Sequence, residues 1–390
     1  MLKEELQKRF EEIYGSGGEI RVFFAPGRVN LIGEHIDYYG GHVYTFAMKQ
    51  GTYCAARLRP DRTVQVASDN YDGGRVHGFL LDSIPSIKED PAWLRYAHSV
   101  LRMFEMRGCF FPQGVDVLYS GDLPIGVGLA SSASIQVVTA KMLLELGSFS
   151  GMSQVELAGL CQEAEQEYVC VSSGIHDHLT SVLGKKDYGV MIAAQKLQYE
   201  YVPLRLGTSR VILADSMVRY KEHYGEYTIR REECGKALKR LKVVANIDQL
   251  CDLSVDTFNN CKDVIMNDVY TKRARHAVTE NARAIRAVSA VRVGNIRRFG
   301  ELMYLSHESL RDDYEVSCPE LDFLVEVSRN IPGVYGSRMM GEGFGGCIVS
   351  IVEEDAVDAY KASIAEAYLD RYHTEPRFYD AEACDGAREL

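Results

Sequence analysis

The sequence has no apolar run long enough to cross a bilayer, which takes about 20 consecutive apolar residues. It also has no long run of basic residues, and its formal net charge is −11. Proteins that bind nucleic acids or anionic membranes need clustered Lys and Arg, so neither partner is expected. The nearest exception, Lys272 to Arg275, shares a predicted helix with Glu280 and indicates a solvated helix face.

Two further features are missing, a Cys-x-x-Cys pair and a secretory signal. The ten cysteines are scattered, and several lie in apolar segments where a thiol acts as a small hydrophobic group. Met1 to Phe10 is charged and predicts an amphipathic helix, whereas a signal peptide needs an apolar core and a small-residue cleavage site. These absences predict a cytoplasmic protein whose cysteines are reduced.

The chain does have the length and hydrophobic content for large cores. Its 390 residues exceed the usual size of one core, and 46% hydrophobic with 25% charged residues is typical of a globular protein. Strand and helix patterns mix without regular βαβ alternation, which predicts an α+β fold. We expect domains 1–190 and 191–390, with the active site in the cleft between them.

The local patterns predict where the polar motifs lie. Ile20 to Ala25 predicts a strand that ends at Pro26-Gly27, so Arg28 to Gly41 is expected to be a loop. Ser131 to Leu146 predicts a helix, and so does Ser153 to Tyr168 with Ser153 as its N-cap. The other predicted elements are strands at 43–58, 63–68, 115–120, 190–194, 211–215, 347–352 and 377–379, and helices at 93–107, 355–368 and within 227–330.

A segment rich in Gly and Ser lies on a predicted strand-to-helix turn. Gly126 and Gly128 allow a ligand to approach the backbone closely, and the following helix directs free N–H groups at a phosphate. The hydroxyls of Ser131, Ser132 and Ser134 add hydrogen bonds or one metal contact. The spacing matches neither the Walker nor the Rossmann pattern. An anion cradle and an ordinary turn that caps a helix both explain it.

The predicted loop after Gly27 has a high density of hydrogen-bonding side chains, namely Arg28, Glu34, His35 and Asp37. Carboxylates accept from hydroxyls, Arg donates and His does either, which gives directional recognition of a polyhydroxylated ligand. A charged surface loop is the alternative interpretation.

Asp177 lies shortly after a predicted helix that carries Glu165. An Asp near a hydroxyl nucleophile orients it or accepts its proton, and a Glu such as Glu165 holds Mg²⁺ beside phosphates. His176 and His178 flank Asp177, but a pair at this spacing without a nearby Cys is more often not a metal site.

Together these segments resemble the galactokinases of the GHMP small-molecule kinase family. Gly27-Arg-Val-Asn-Leu-Ile-Gly-Glu-His-Ile-Asp-Tyr-Tyr-Gly-Gly41 is similar to the galactokinase signature, and 128–134 to the family's phosphate loop. The glycine cluster 341–346, which a tight hairpin alone would also explain, is similar to the third motif, and 306–322 is galactokinase-like. The likeness covers nearly the whole chain.

The resemblance implies a two-domain GHMP kinase architecture and transfer of the ATP γ-phosphate to the anomeric hydroxyl of galactose, with Mg²⁺. It implies that Asp177 is the catalytic aspartate, which removes a proton or only positions the hydroxyl, and that Arg28 is its partner. The implied sugar contacts are Glu34, His35, Asp37, Gly174 and Tyr227. The implied ATP contacts are Gly126, Gly128, Leu129, Ser131, Ser132, Ala133 and Ser134, with Trp93 near the adenine, and the implied Mg²⁺ ligands are Ser132 and Glu165.

The sequence departs from the galactokinase pattern around the expected site, at Ile36, Ala130, His176, His178 and Glu342. N-acetylgalactosamine and arabinose therefore stay open as substrates, whereas galacturonate is disfavoured because Glu34 would repel a second anion. A sensor that binds sugar and ATP without catalysis is an alternative from another class, although the intact Ser132 and Asp177 favour an enzyme. We expect a monomer or a weak homo-oligomer.

Overall fold

The computed structural model describes residues 3–82, 87–147, 149, 151–169, 174–219 and 224–390 and builds them into two β-sheets with helices packed against them. The helices are α1 (Lys3–Tyr14), α2 (Ala92–Met106), α3 (Ser131–Leu146), α4 (Gln154–Ala164), α5 (Ile175–Leu183), α6 (Tyr224–Leu241), α7 (Val255–Cys261), α8 (Asp268–Arg292), α9 (Ile296–Ser309), α10 (Pro319–Arg329) and α11 (Val357–Tyr372). The strands are β1 (Arg21–Ile32), β2 (His42–Leu58), β3 (Thr63–Ser68), β4 (His77–Leu80), β5 (Val115–Gly121), β6 (Tyr188–Ala193), β7 (Gln198–Pro203), β8 (Ser209–Asp215), β9 (Val334–Met339), β10 (Cys347–Glu353), β11 (Arg377–Ala381) and β12 (Arg388–Glu389). The α+β prediction is confirmed.

The first sheet has the strand order β12-β1-β2-β5-β3-β4, and β6 and β7 extend it from β2. All of its pairs are antiparallel except β3 with β5. Helices α2 to α5 contribute apolar side chains such as Phe104, Val137 and Leu179 to its core. Both α3 and α5 contact β1. The helices that carry Ser132 and Asp177 therefore pack on the strand that carries Arg28.

The second sheet has the antiparallel order β11-β8-β10-β9. Its own core includes Ile348 and Tyr360. A separate core joins the two sheets, with Phe46 of β2, Val349 of β10 and Phe299 of α9 among its members. Burial of one such side chain contributes roughly 1.5–3 kcal/mol. This joining core fixes the loops at the ends of both sheets in one place.

The last strand, β12, lies at the edge of the first sheet beside β1. Phe23 pairs with Glu389, and the Leu390 N–H donates to the Val22 carbonyl at 2.9 Å. The Arg21 guanidinium donates to both carboxylate oxygens of Glu389, at 2.8 and 2.7 Å. Residues separated by more than 360 positions are thus neighbours in one sheet.

The predicted loop at Arg28 is wrong, because β1 continues through Pro26-Gly27 to Ile32. The pairing with β2 shifts register between Pro26 and Arg28, which lets the strand resume beyond the proline. The predicted helix over 131–146 is confirmed, and Ser153 caps α4 with a capping box to Glu156. The predicted helix over 153–168 continues beyond α4 as a π-turn, Glu165–Val169. The domain boundary near residue 190 stays a prediction.

None of the helices in the described ranges is long and apolar enough to cross a membrane. The nine cysteines in these ranges form no disulfide, and Cys170 lies outside them. Burial raises the pKa of the Cys234 thiol to about 12, and it also raises the pKa of the Cys54 thiol. Neutral thiols of this kind are weak nucleophiles, so these buried cysteines are packing residues.

Candidate active site

A cavity of about 540 Å³ lies between the two glycine-rich segments. Residues 125–132 form one wall and residues 340–346 another, and Arg28, Asp177 and Tyr227 also line it. Small-molecule sites typically enclose about 300–1,000 Å³. The cavity therefore has the size for a small organic ligand, and the predicted catalytic pair lies in its wall.

The phosphate-loop segment has backbone angles that require small residues. Gly126 and Gly128 have φ angles of 70° and 83°, and Ala130 has a φ of 57° just before α3 begins. A Cβ on Gly128 would lie 3.0 Å from the Met340 carbonyl oxygen and 3.2 Å from the Gly341 Cα. The two glycine segments are therefore in backbone contact, and the N-terminus of α3 faces the cavity between them.

The serines of this segment point in different directions. Ser131 and Ser132 line the cavity. Ser134 is fully buried instead, where its hydroxyl donates to the Ala25 carbonyl at 2.8 Å and accepts from the Thr52 N–H at 3.0 Å. Ala133 is also fully buried and lies outside the cavity wall. Ser134 thus ties α3 to the first sheet.

Trp93 of α2 lines the same cavity. Its ring stacks on Tyr71 with centroids 5.8 Å apart and planes 6° apart, and its indole N–H donates to Asp72 Oδ2 at 2.9 Å. Leu129 also lines the cavity. Fixed aromatic faces of this kind suit stacking of a planar ring such as a purine.

Asp177 lies in the first turn of α5 and forms an ion pair with Arg28, with 2.5 Å between Arg28 Nη2 and Asp177 Oδ1. Arg28 Nη1 also donates to the carbonyl oxygen of Gly128 in the phosphate-loop segment. Burial favours the neutral acid, but the charges of Arg28 and His176 outweigh it and hold the pKa of Asp177 well below its usual range. Asp177 is therefore an ionised acceptor at neutral pH.

Asp37 reaches the same region through His176, whose Nδ1 lies 2.8 Å from Asp37 Oδ2. Gly174 makes this approach possible, because a Cβ there would lie 2.0 Å from Asp37 Oδ2 and 2.7 Å from His176 Nδ1. The φ of Gly174 is −78°, so the requirement is for space and not for unusual backbone angles.

Replacing Gly174 by Ala should therefore push the Asp37 carboxylate away from its observed position. A misplacement of about 1 Å costs on the order of 100-fold in a well-organised site, and we expect the KM for the sugar to rise by about 10- to 100-fold with nucleotide binding unchanged. Steady-state kinetics with varied sugar and fixed MgATP would measure it. Gly235→Ala on α6 is the matched control, since its Cβ meets nothing within 4 Å. Equal KM values for both variants would contradict the steric argument.

Glu34, His35 and Asp37 are buried, with at most 5% of each residue exposed. Asn30 Nδ2 donates to Glu34 Oε1 at 2.9 Å, and Arg338 Nη2 and the Gly341 N–H both donate to Glu34 Oε2 at 3.0 Å. The alternative of a charged surface loop is excluded for these residues. Glu34 instead connects the signature segment to the second glycine cluster.

His35 belongs to a buried aromatic cluster that includes Tyr227, which lines the cavity. Its Nδ1 lies 2.8 Å from the Tyr38 hydroxyl, and its ring centroid lies 5.6 Å from that of Tyr227 and 5.0 Å from that of Tyr314. Burial lowers the pKa of His35, so its ring is neutral at pH 7. The predicted residues His35 and Tyr227 are thus adjacent, although 192 positions separate them.

Side chains of helix α8 form hydrogen bonds with the backbone of the signature segment. The Gly33 N–H donates to Glu280 Oε1 at 2.9 Å, the Ser306 hydroxyl donates to the same oxygen at 2.7 Å, and His276 Nε2 lies 3.1 Å from the Glu34 carbonyl oxygen. Burial favours the neutral acid, yet Arg283 and other cations lower the pKa of Glu280 to about 2. The loop conformation is therefore set by residues about 240 positions away.

Glu165 lies in the π-turn after α4 and is fully buried, with its Oε2 3.7 Å from His178 Nε2. His178 Nε2 also lies 2.8 Å from Gln136 Oε1, and burial lowers the pKa of His178 to about 4. Within the described ranges, no group of three or more His, Cys, Asp or Glu side chains is placed to hold a metal ion. The Ser132 hydroxyl and the Glu165 carboxylate are oxygen donors of the kind Mg²⁺ prefers.

Three residues of the site carry no predicted role in the sequence analysis. Arg338 is fully buried and binds Glu34, and Arg219 lines the cavity beside Gly126 while pairing with Asp215 at 2.8 and 2.6 Å. Glu342 lines the cavity too, and burial together with Asp177 raises its pKa. Arg338 lies three positions before the glycine cluster 341–346, and this proximity was a usable signal. Arg219 follows β8 without a motif beside it and gave no signal.

The chain matches three family models, described as the galactokinase galactose-binding signature over residues 8–58, the GHMP kinases N terminal domain over 95–185 and the GHMP kinases C terminal over 287–370. A galactokinase of Clostridium acetobutylicum is 41% identical over 390 residues, which are 100% of this chain and 98% of that protein. A galactokinase of Bacillus subtilis is 39% identical over 389 residues, 100% of this chain and 99% of that protein.

Solved structures show the same relationship. The Lactococcus lactis galactokinase complexed with galactose matches with a TM-score of 0.95 and 35% identity over 99% of both chains. The Methanococcus jannaschii mevalonate kinase matches with a TM-score of 0.66 and 18% identity over 95% of this chain and 99% of that one. The second match shows a shared fold alone.

Proposed function

We propose that this protein, which belongs to the galactokinase family of GHMP kinases, transfers the γ-phosphate of ATP to the C1 hydroxyl of galactose. It is an ATP-dependent sugar kinase. The observation that supports it most is the ion pair of Asp177 with Arg28 in the wall of one cavity. The same cavity is bounded by two glycine segments and is also lined by Trp93. A sugar hydroxyl beside Asp177 and a phosphate at the start of α3 would be neighbours there.

The nucleotide would lie along the 125–132 wall. Backbone N–H groups of this segment and the hydroxyls of Ser131 and Ser132 would bind the phosphates, and Trp93 with Tyr71 would form an apolar wall for the adenine. Arg219 adds a positive charge beside Gly126. Gly126, Gly128 and Leu129 would shape this wall, whereas Ala133 and Ser134 are buried outside it and would not touch ATP.

The Ser132 hydroxyl and the Glu165 carboxylate would hold Mg²⁺. When bound, the ion neutralises negative charge on the nucleotide phosphates. Glu165 is fully buried, its Oε2 lies 3.7 Å from His178 Nε2, and Gln136 contacts the same ring nitrogen.

The sugar would lie against Asp177, Asp37 and Tyr227. Its C1 hydroxyl oxygen forms a bond to the γ-phosphorus as the bond from that phosphorus to the β,γ-bridging oxygen breaks, and ADP leaves. Asp177 accepts the hydroxyl hydrogen bond and takes the proton late, since its low pKa makes it a weak base and the hydroxyl proton becomes acidic only as the O–P bond forms. Arg28 holds Asp177 in place and links it to the phosphate-loop segment through the Gly128 carbonyl.

The charges around the sugar position favour a neutral substrate. Glu34, Asp37 and Asp177 are carboxylates, and each already has a cationic partner in the protein. A uronate would add a further negative charge without a free cation in this set, which like-charge repulsion disfavours. Glu34, His35, Asp37, Gly174 and Tyr227 would then form the sugar-binding end.

ADP release from the purified protein, measured with MgATP and a panel of galactose, N-acetylgalactosamine, galacturonate, arabinose and glucose, tests the proposal. Galactose should give the fastest turnover, and a clear preference for another sugar would overturn the choice of substrate. The chain has one tryptophan, Trp93, so its fluorescence reports nucleotide binding. A fluorescence response to ATP without turnover on any sugar would indicate a sensor.

We also propose a cytoplasmic location, two domains that divide near residue 190, and a monomer or weak homo-oligomer. The supply of ATP and the buried, reduced thiols support the location. Light scattering over a range of protein concentrations would measure the oligomeric state.

A further inference from the structure

His176 lies between two carboxylates that belong to different parts of the site. Its Nδ1 is 2.8 Å from Asp37 Oδ2, and its Nε2 is 3.0 Å from Asp177 Oδ1. Asp37 follows β1 in the signature segment, and Asp177 is in the first turn of α5. The imidazole is buried, with 7% of its side chain exposed. One ring therefore spans the proposed sugar-binding and catalytic carboxylates.

We propose that His176 is a positioning residue that, as an imidazolium, holds the sugar-binding carboxylate of Asp37 and the catalytic carboxylate of Asp177 at the two ends of one ring. This inference rests on the proposed function. His176 would position the two carboxylates that act on the sugar and would not itself contact the sugar.

Only the protonated ring can donate from both nitrogens, since a neutral imidazole has one donor and one acceptor. A neutral ring would place a lone pair against one of the two carboxylates. Burial alone would lower the pKa of His176, but the charges of Asp177 and Asp37 outweigh it and raise the pKa to about 10. The geometry and the charges thus agree on an imidazolium at neutral pH.

The neighbouring groups that the structure describes do not supply another cation for Asp37. Among the described residues, the charged or titratable groups that face these three are Arg28, His35, His178, Tyr227, Cys251 and Glu342. Burial lowers the pKa of both other histidines, so they are neutral. Within the described ranges, the ion pair of Arg28 is with Asp177, and burial raises the pKa of the Tyr227 hydroxyl, of the Cys251 thiol and of Glu342. Asp37 therefore depends on His176 for a cationic partner.

Without the imidazolium, the two carboxylates would face each other and the pKa of Asp177 would rise. Asp177 acts in its ionised form, so a higher pKa moves the acid limb of the activity profile to higher pH. For His176→Met, we expect the acid limb of kcat to move up by about one pH unit or more, with much of the activity retained at pH 8. Met is apolar and flexible enough to fill a buried gap, so the variant is expected to fold.

Two amide variants separate the two ends of the ring. Loss of the Nδ1 contact with Asp37 should raise the KM for galactose in His176→Met. The amide nitrogen of Asn takes the place of Nδ1, so His176→Asn should keep KM near that of the wild type and leave the acid limb shifted. The amide nitrogen of Gln takes the place of Nε2, so His176→Gln should return the acid limb towards that of the wild type and leave KM raised. A merely structural role would not divide the two parameters in this way.

The experiment is a pH profile of kcat and kcat/KM for galactose, from pH 9 down to pH 3, on the wild type and the three variants, with Trp93 fluorescence on ATP addition as the test of folding at each pH. His98→Met is the control, because His98 is also a buried histidine paired with an aspartate, Asp90, outside the cavity wall. Acid limbs in His176→Met and His176→Asn that coincide with the wild type would overturn the inference alone. A wild type without turnover on any sugar would overturn the proposed function and this inference with it.

Discussion

Replacing Asp177 by Asn should reduce kcat by about 1,000-fold or more, in the range that loss of a positioned acid–base group produces. The amide has nearly the same shape, but it has no negative charge for Arg28 and no strong acceptor for the sugar hydroxyl. Binding of ATP should change little, since the nucleotide wall does not depend on Asp177. Binding of the sugar should also persist through Glu34, Asp37 and Tyr227.

Rapid-quench measurement of phosphoryl transfer would test this expectation directly, with calorimetric titration of sugar and ATP as the binding readout. Asp380→Asn is the matched control, because Asp380 forms an exposed ion pair with Lys361 at 3.0 Å far along the chain in β11. Its kcat should equal that of the wild type. If Asp177→Asn turned over within tenfold of the wild type, Asp177 would have no part in the chemical step. The ion pair of Asp177 with Arg28 would then serve binding only.

The second large effect concerns stability and comes from Arg338. This side chain is fully buried and donates to the carbonyl oxygens of Leu31, Met339 and Asn30 at 2.9, 2.8 and 2.6 Å, and to Glu34 at 3.0 Å. Removing one partner of a buried ion pair typically costs about 3–5 kcal/mol, because the other charge is left uncompensated. We expect Arg338→Met to lose about that much free energy of unfolding and to weaken sugar binding through Glu34.

Urea denaturation followed by circular dichroism would measure the loss. Arg298→Met is the control, since Arg298 pairs with Glu301 on the surface at 2.8 Å and such pairs contribute about 0–1 kcal/mol. The double variant Arg338→Met with Glu34→Gln should be more stable than Arg338→Met alone, because it leaves no buried charge unpaired. If Arg338→Met were as stable as Arg298→Met, Glu34 would have to be solvated or neutral when the Arg338 guanidinium is absent, which contradicts the expectation.

Local signals in the sequence predicted much of the fold. Helix α3 runs over the predicted residues because the phosphate-loop turn precedes it and Gly147 follows it. The cap at Ser153 was predictable because the hydroxyl and Glu156 satisfy each other's backbone groups within four residues. The predicted end of the strand at Pro26-Gly27 was wrong. Hydrogen bonds to β2 on both sides of the register shift keep the chain extended there, despite the local turn signal.

The candidate site was predictable by its residue types and not by its contacts. The resemblance identified Arg28 and Asp177, and the structure places them in contact. It did not show that Glu34 is held by Arg338, or that His176 joins Asp37 to Asp177, because those contacts depend on packing between elements 140 to 300 positions apart. No periodicity or spacing in one sequence encodes such a pairing.

The position of β12 has a consequence for the order in which the chain folds during synthesis. The edge of the first sheet beside β1 stays open until residues 388 and 389 have left the ribosome, although its other strands are complete by residue 203. Contacts across so large a sequence separation form late, since they carry a large loop-closure entropy. Until then, the N–H and C=O groups of β1 at Phe23 and Phe24 form an unpaired strand edge. Chaperones shield edges of this kind on nascent chains.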